Sequence, residues 1–260
     1  MEIRRRSRSQ TMSLSVIIIT KNEEASIGNC ISSVAWADEI VVVDSGSTDG
    51  TEKICRQYTN NFYTNDWSGF GPQKNKALAM ASKDWVLSID ADEMVSPELR
   101  REIEDVMTNP EAHSAFVTPR RSSYCGKFMH HSGWWPDYVT RLFRKGSARF
   151  SDDLIHERII VDGSLGRLKH PIIHAAFEDM DEVLETMNRY STIGAKMMHE
   201  QGKRGTLSKA ILHGLWSFFQ TYVVRAGFLD GREGFMLALS NAEGTYYRYL
   251  KLMLLAEKAQ

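Results

Sequence analysis

The sequence predicts an α/β protein, with a mainly parallel central sheet and a helical C-terminal appendage. Three observations predict it. Short, apolar, β-branched runs alternate with helical patterns through the first half, as expected of strands buried on both faces. Two of these runs end in carboxylates, at Asp44 and at Asp90-Ala91-Asp92-Glu93, where an open α/β sheet binds its ligand. From about Asp179 onward the pattern turns helical.

The elements follow in order. Residues 14–19 are the first buried strand, and residues 24–34 a helix with Ile27, Ile31 and Val34 on one face. Residues 39–43 are the second strand. Thr48, Asp49 and Thr51 offer capping groups for a helix that carries Ile54 and Tyr58. Pro72 opens the next helix, with Ala77, Leu78 and Ala81 inward. Residues 85–89 are the third strand. Ser96-Pro97-Glu98 starts a helix with Leu99, Ile103 and Val106 on one face, and residues 115–118 read as a strand.

Residues 120–149 are rich in Arg, Lys and aromatics, with Asp137 their only acid. Residues 139–143, 158–161 and 172–174 read as further strands. Between Leu207 and Leu229, the residues Leu207, Ile211, Leu215, Phe218, Phe219, Tyr222 and Val223 form a helical apolar face. Lys209, His213, Gln220 and Arg225 interrupt it. A spanning helix needs ~20 mainly apolar residues. This segment is expected either to dock on the rest of the chain or to lie in a bilayer interface.

The predicted organisation is a disordered basic extension over residues 1–12, one domain over 13–178 and a helical region over 179–260. The domain divides into halves at 13–118 and 119–178. A chain of 260 residues suits one large domain with an appendage. A net charge of −1 excludes a strong overall polyanion bias, and no nucleic-acid motif is present. Cys30, Cys55 and Cys125 are odd in number and widely spaced, as reduced cytosolic thiols would be. The apolar run after Arg4-Arg5-Arg6-Ser7-Arg8 is too short for a secretory signal.

Two carboxylates one residue apart at a strand end are hard to explain by packing, because ionised groups near a core need something positive to meet them. A hard divalent cation that also touches phosphates would do so. Thr20-Lys21-Asn22-Glu23-Glu24 follows the first strand and Asp44-Ser45-Gly46-Ser47-Thr48-Asp49-Gly50 the second. Asp44, at the strand end itself, is placed to accept a hydrogen bond from a base or ribose. Lys74 is expected near a helix start, facing a phosphate or solvent. Glu93 is expected to be a surface acid.

Residues 16–23, residues 42–51, Gln73-Lys74-Asn75-Lys76-Ala77-Leu78 and residues 89–93 together resemble, in order and spacing, the nucleotide-sugar domain of family-two glycosyltransferases. The resemblance covers about residues 14–110 and implies a GT-A fold and inversion at the sugar carbon. It implies that Thr20, Glu23, Asp44 and Lys74 line the nucleotide pocket, that Asp90 lies near the ribose and metal, and that Asp92 binds Mg²⁺ or Mn²⁺. Many members carry two successive acids after the second strand, whereas here Ser45 follows Asp44.

A sugar hydroxyl needs a general base, which contributes ~10²–10⁴-fold. Asp137, Asp152, Asp153, Glu157 and Asp162 are the candidates. Leu154-Ile155-His156-Glu157, Trp134-Trp135-Pro136-Asp137-Tyr138 and Arg141-Leu142-Phe143-Arg144 resemble a bacterial subgroup that includes lipopolysaccharide inner-core β-1,4-glucosyltransferases. Glu157 is the preferred base, with Asp137 its rival, and Asp152 and Asp153 read as a turn. Trp135, Asp137 and Arg141 are expected at the acceptor. Of Trp134 and Trp135, one is expected in the core and one against a sugar. His174 either completes the metal site or is an ordinary semi-buried histidine. The cations Arg120, Arg121, Lys127, Arg141, Arg144 and Arg149 suit a phosphorylated or acidic lipid-linked glycan, or simply solvent.

The resemblance implies transfer of glucose from UDP-glucose to a heptose of the lipopolysaccharide inner core. The reaction would occur in the cytoplasm or peripherally on the inner membrane. The rivals are transfer to a polyprenyl phosphate, a nucleotidyltransferase and a non-catalytic nucleotide-binding module. The second lacks the expected Gly-rich loop after the first strand.

Overall fold

The computed structural model describes residues 12–109, 113–151 and 157–258, which belong to two compact units. The first unit draws on residues 1–120 and 138–174, the second on residues 121–137 and 175–260. The basic stretch at residues 1–11 lies outside the described residues, whereas Met12 is half-buried against the core.

In the first unit, β1 (Leu14–Thr20), β2 (Glu39–Asp44), β3 (Phe62–Thr64) and β4 (Trp85–Asp90) form the parallel stretch β3-β2-β1-β4. α1 (Ile27–Ser33), α2 (Thr51–Cys55) and α3 (Phe70–Met80) connect these strands. β5 (Glu93–Val95) and α4 (Pro97–Thr108) follow, then β6 (Ala115–Tyr124), β7 (Lys127–Phe128), β8 (Asp137–Arg144), β9 (Ala148–Phe150), β10 (Ile159–Val161), β11 (Leu165–Arg167) and β12 (Ile172–Phe177). The sheet continues past β4 as β8-β6-β12-β5. β8 pairs antiparallel with β4 and β12 antiparallel with β5, so the sheet is mixed and largely parallel.

Alternate residues of the apolar strands pack on opposite faces. Val16, Ile18, Val42, Leu87 and Ile89 meet Ile27 and Ile31 of α1 and Leu99 and Ile103 of α4. Ile17, Ile19, Val41, Val43 and Val86 meet Ala77 of α3 together with Phe143 and Phe150. Burial on both faces is why these strands read as unbroken apolar runs. The register sets Thr20 opposite Asp44 and Ile19 opposite Asp90, so the polar strand ends form one row.

Several boundaries differ from expectation. α1 starts at Ile27, because the carbonyl of Glu23 first closes a turn with the N–H groups of Ser26 and Ile27. α2 ends at Cys55 and leaves Tyr58 outside it, exposed. α3 starts two residues before Pro72, whose missing N–H costs little in a first turn. α4 begins as predicted, with the Ser96 hydroxyl accepting from Leu99 N at 3.2 Å.

The second unit contains α5 (Met180–Glu200), α6 (Leu207–Phe219) and α7 (Gly231–Lys258). Asp179 and Thr206 cap α5 and α6 through side-chain oxygens. The expected helical face over 207–229 is broken. A π turn at Gln220–Val224, Ala226 in the left-handed region (φ 53°) and a 3₁₀ turn at Gly227–Asp230 separate α6 from α7. Tyr124, Trp134 and Phe177 pack edge-on or tilted against one another, next to Val183 and Leu237. Buried Asp230 accepts from the N–H groups of His130 and His131 and the hydroxyl of Ser132, each at 3.0 Å. Among the described residues, no helix is long and apolar enough to cross a membrane.

Candidate functional site

The loops after β1 and β2 are laced together. Asn22 adopts φ 55°, donates its N–H to Ser47 Oγ at 2.8 Å and accepts from Thr48 N at 2.8 Å. Glu23 N donates to Thr51 Oγ1 at 2.8 Å, and Gly50 N donates to Glu24 Oε2 at 2.9 Å. A Cβ on Gly50 would lie 2.3 Å from Glu24 Oε1, so any larger residue there would displace the Glu24 side chain from this contact.

Asp44 spends its carboxylate on its own loop. Oδ2 accepts from Gly46 N and Ser47 N at 2.9 and 2.8 Å, and Oδ1 accepts from Ser47 Oγ at 2.5 Å. Gln73, fully buried on α3, holds Ser45 Oγ at 3.1 Å and ties it to Asn65. Thr20 closes the row with a buried hydroxyl oxygen that has no hydrogen-bond partner. Such orphans are uncommon in folded proteins.

A charge cluster lies at the end of β4. Lys74 Nζ, buried on α3, is 2.8 Å from Asp90 Oδ1 and 2.6 Å from Glu157 Oε1. Arg141 on β8 is 2.6 Å from both Asp90 Oδ2 and Glu93 Oε1, and Asp90 N donates to Glu93 Oε2 at 3.0 Å. Burial alone would raise the Asp90 carboxyl, but the Arg141 and Lys74 charges hold it well below the carboxylate range. Burial wins at Glu93 and raises it, against the pull of Arg141. Burial lowers Lys74 and Arg141, but neighbouring carboxylates, Asp90 foremost, outweigh it and raise both. Burial also pushes the Cys30 thiol well up, with Glu93, Asp92 and Asp90 adding to it.

Asp92 stands apart from this cluster. The pairing of β12 with β5 sets His174 opposite Glu93, and His174 Nε2 lies 3.1 Å from Asp92 Oδ2. Among the described residues, no group of three or more His, Cys, Asp or Glu side chains is arranged to hold a metal ion.

The structure thus brings Thr20, Asp44, Lys74, Asp90, Asp92, Arg141, Glu157 and His174 into the first unit, and Glu23 joins them, its carboxylate bonding Ser26 Oγ at 2.5 Å. Trp135 and Asp137 fall in the second unit. Trp134 packs with Tyr124 and Phe177, the core member of its pair. One expectation changes. Glu93 is a fully buried acid, not a surface one, because β5 pairs antiparallel with β12 and Arg141 meets its charge. Arg141, expected at the acceptor, is 7% exposed; one guanidinium nitrogen meets both Asp90 and Glu93, while its Nε is buried without a partner.

The basic stretch is largely structural. Arg121 stacks on Phe128, Arg144 on Trp85, and Lys127 donates to the carbonyl of Asp230. Asp152, Asp153 and the Leu154-Ile155-His156 part of the motif lie outside the described residues. Sequence reasoning missed Gln73 and the lacing roles of Asn22 and Ser47. A glutamine and an asparagine beside recognised loop residues gave a signal of polarity, but none of direction.

The glycosyl transferase family 2 model matches residues 15–168. The lipopolysaccharide core biosynthesis glycosyltransferase LpsC of Rhizobium meliloti (strain 1021) is 32% identical over 255 residues, which cover 91% of this chain and 93% of that protein. An uncharacterized glycosyltransferase of Rickettsia prowazekii (strain Madrid E) is 31% identical over 259 residues, covering 95% and 89%. Among solved structures, S. aureus TarS 1–349 in complex with UDP-GlcNAc gives a TM-score of 0.49 at 17% identity, covering 96% of this chain and 93% of that one.

Proposed function

We propose a specific reaction for this chain, which belongs to glycosyl transferase family 2. It moves glucose from UDP-glucose to a heptose hydroxyl of a lipid-linked lipopolysaccharide inner core, with inversion, in the cytoplasm. Similarity to LpsC over nearly the whole chain supports the core acceptor. The free thiols of Cys30, Cys55 and Cys125 are in keeping with the compartment.

The observation that carries the reading is the division of the strand-end acids. Asp90 and Glu93 are met by Lys74 and Arg141, whereas Asp92 is directed to His174. One carboxylate and one imidazole fit a magnesium or manganese ion whose remaining ligands are substrate phosphates and water. Bound there, such an ion supplies charge neutralisation for the departing diphosphate.

The protein's own groups do the rest. The orphaned Thr20 hydroxyl and the loop fastened by Asp44 and Glu23 receive the nucleoside. Lys74 fixes Asp90 near the ribose and holds one oxygen of Glu157, leaving the other oxygen to take the acceptor's proton. The acceptor oxygen then bonds to the anomeric carbon as the carbon–phosphate oxygen bond breaks and the nucleoside diphosphate leaves.

Transfer of labelled glucose from UDP-glucose to a heptose-containing core, with other nucleotide sugars in parallel, tests the assignment. Glu157→Gln is expected to lower turnover by ~10²–10⁴-fold. Near-normal turnover in that variant would instead favour a polyprenyl phosphate acceptor, which is already anionic and needs no base.

A further inference from the structure

Helix α6 is built inside out for a helix in water. Its buried positions are small: Ala210 and Gly214 turn inward, and Thr221 continues the line after the helix. A Cβ on Gly214 would stand 3.3 Å from the carbonyl oxygen of Ala242 in α7, so the two backbones approach closely. Ser217 Oγ donates to the carbonyl of Asn241 in α7 at 3.2 Å. Phe218 and Tyr222 pack on Phe235 of α7, but most of the large apolar residues face outward instead. Leu212, Leu215 and Trp216 are 66%, 65% and 57% exposed, and Phe219, Val224, Phe228 and Leu229 extend the same character through the following turns.

Soluble helices turn their apolar stripe to the core and their polar face to water. Small residues at a helix–helix contact, with large apolar ones outside, are what a lipid environment favours. An apolar surface of this kind marks an interaction site. Its charge selects the partner. Residues 201–229 contain Lys203, Arg204, Lys209 and Arg225 and no Asp or Glu. Asp230, the first acid beyond them, is buried against His130, His131 and Ser132. Lys203, Arg204, Lys209 and Arg225 are all exposed.

We propose that α6 and the turns after it, through Leu229, dock the protein on an anionic bilayer surface. Leu212, Leu215, Trp216 and Phe219 enter the boundary between headgroups and acyl chains, while Lys203, Arg204, Lys209 and Arg225 meet the headgroup phosphates. Apolar insertion with cationic attraction is how interfacial helices bind, and neither contribution requires the chain to span the membrane. The surface is independent of the glycosyl-transfer chemistry assigned above.

Vesicle co-sedimentation of the full chain tests this. The protein is expected to pellet with vesicles of phosphatidylcholine and phosphatidylglycerol, less with phosphatidylcholine alone, and progressively less as salt rises. Leu212→Ser with Trp216→Ser should weaken binding about tenfold or more. Lys203→Glu with Arg204→Glu should weaken it by at least fivefold per residue. Turnover of a soluble acceptor fragment by these variants should stay at the wild-type level, which also reports that they fold. Failure to pellet with either vesicle would overturn the proposal. So would sedimentation behaviour showing that a second copy of the chain covers the face, as a dimer abolished by Leu212→Ser with Trp216→Ser.

Discussion

Replacing Arg141 by methionine keeps much of the side-chain volume and removes the guanidinium that touches Asp90 Oδ2 and Glu93 Oε1 at 2.6 Å each. The two acids would not suffer equally. Asp90 keeps Lys74 at 2.8 Å, whereas fully buried Glu93 keeps the N–H of Asp90 and the guanidinium of Arg120 at 3.8 Å. Removing one partner of a buried ion pair costs ~3–5 kcal/mol, because the remaining charge is left uncompensated. Against a typical domain stability of ~5–15 kcal/mol, that is a large fraction. Urea unfolding at pH 7, followed by circular dichroism and Trp fluorescence, measures the loss. Adding Glu93→Gln removes the stranded charge, so the double variant should recover ~1–3 kcal/mol relative to additive behaviour. An Arg141→Met variant within ~0.5 kcal/mol of wild type, with a raised KM for acceptor, would refute the reasoning and return Arg141 to the acceptor site.

Two further outcomes follow from buried polar groups. Thr20→Val removes an oxygen buried without a partner, so stability should hold or rise by ~1 kcal/mol while UDP-glucose binding weakens; unchanged affinity would deny the hydroxyl a role. At Asp230, burial would raise the carboxyl, but hydrogen bonds from His130, His131 and Ser132 outweigh it and hold it below its ordinary value. A depressed carboxyl contributes stability above its unfolded pKa, ~3.9, and loses it as pH falls through the folded value. Urea unfolding should therefore show Asp230→Asn less stable than wild type by ~1–3 kcal/mol at pH 7, with the gap narrowing below about pH 4. A gap that widens in acid would contradict this.

The α/β architecture was legible in the first half because strands buried on both faces leave unbroken apolar runs, as residues 14–19 and 85–89 do. The Ser96-Pro97 start of α4 was legible because capping is local chemistry. Glu93 was not, since its burial depends on a β5–β12 pairing that joins residues about eighty apart in sequence. The fate of Arg141 was hidden for the same reason, because residue type reports a charge and not the carboxylate it meets. The break after Phe219 escaped periodicity because Gln220–Val224 keeps an apolar, helix-like pattern through a π turn. At Asp44 the strand-end position was legible, while its commitment to Gly46 and Ser47 rests on turn geometry.

Calorimetric titration of UDP-glucose with Mn²⁺ present, or with a chelator in its place, applied to wild type and Asp92→Asn, bears most directly on the division of labour among the strand-end acids. Wild type should bind at least about tenfold more tightly with Mn²⁺ than with chelator, a difference of ~1.4 kcal/mol. Asp92→Asn should lose that metal-dependent gain and retain its fold by circular dichroism. Equal affinity with and without metal in wild type, or an undiminished metal effect in Asp92→Asn, would contradict the assignment of Asp92 as the metal-binding carboxylate.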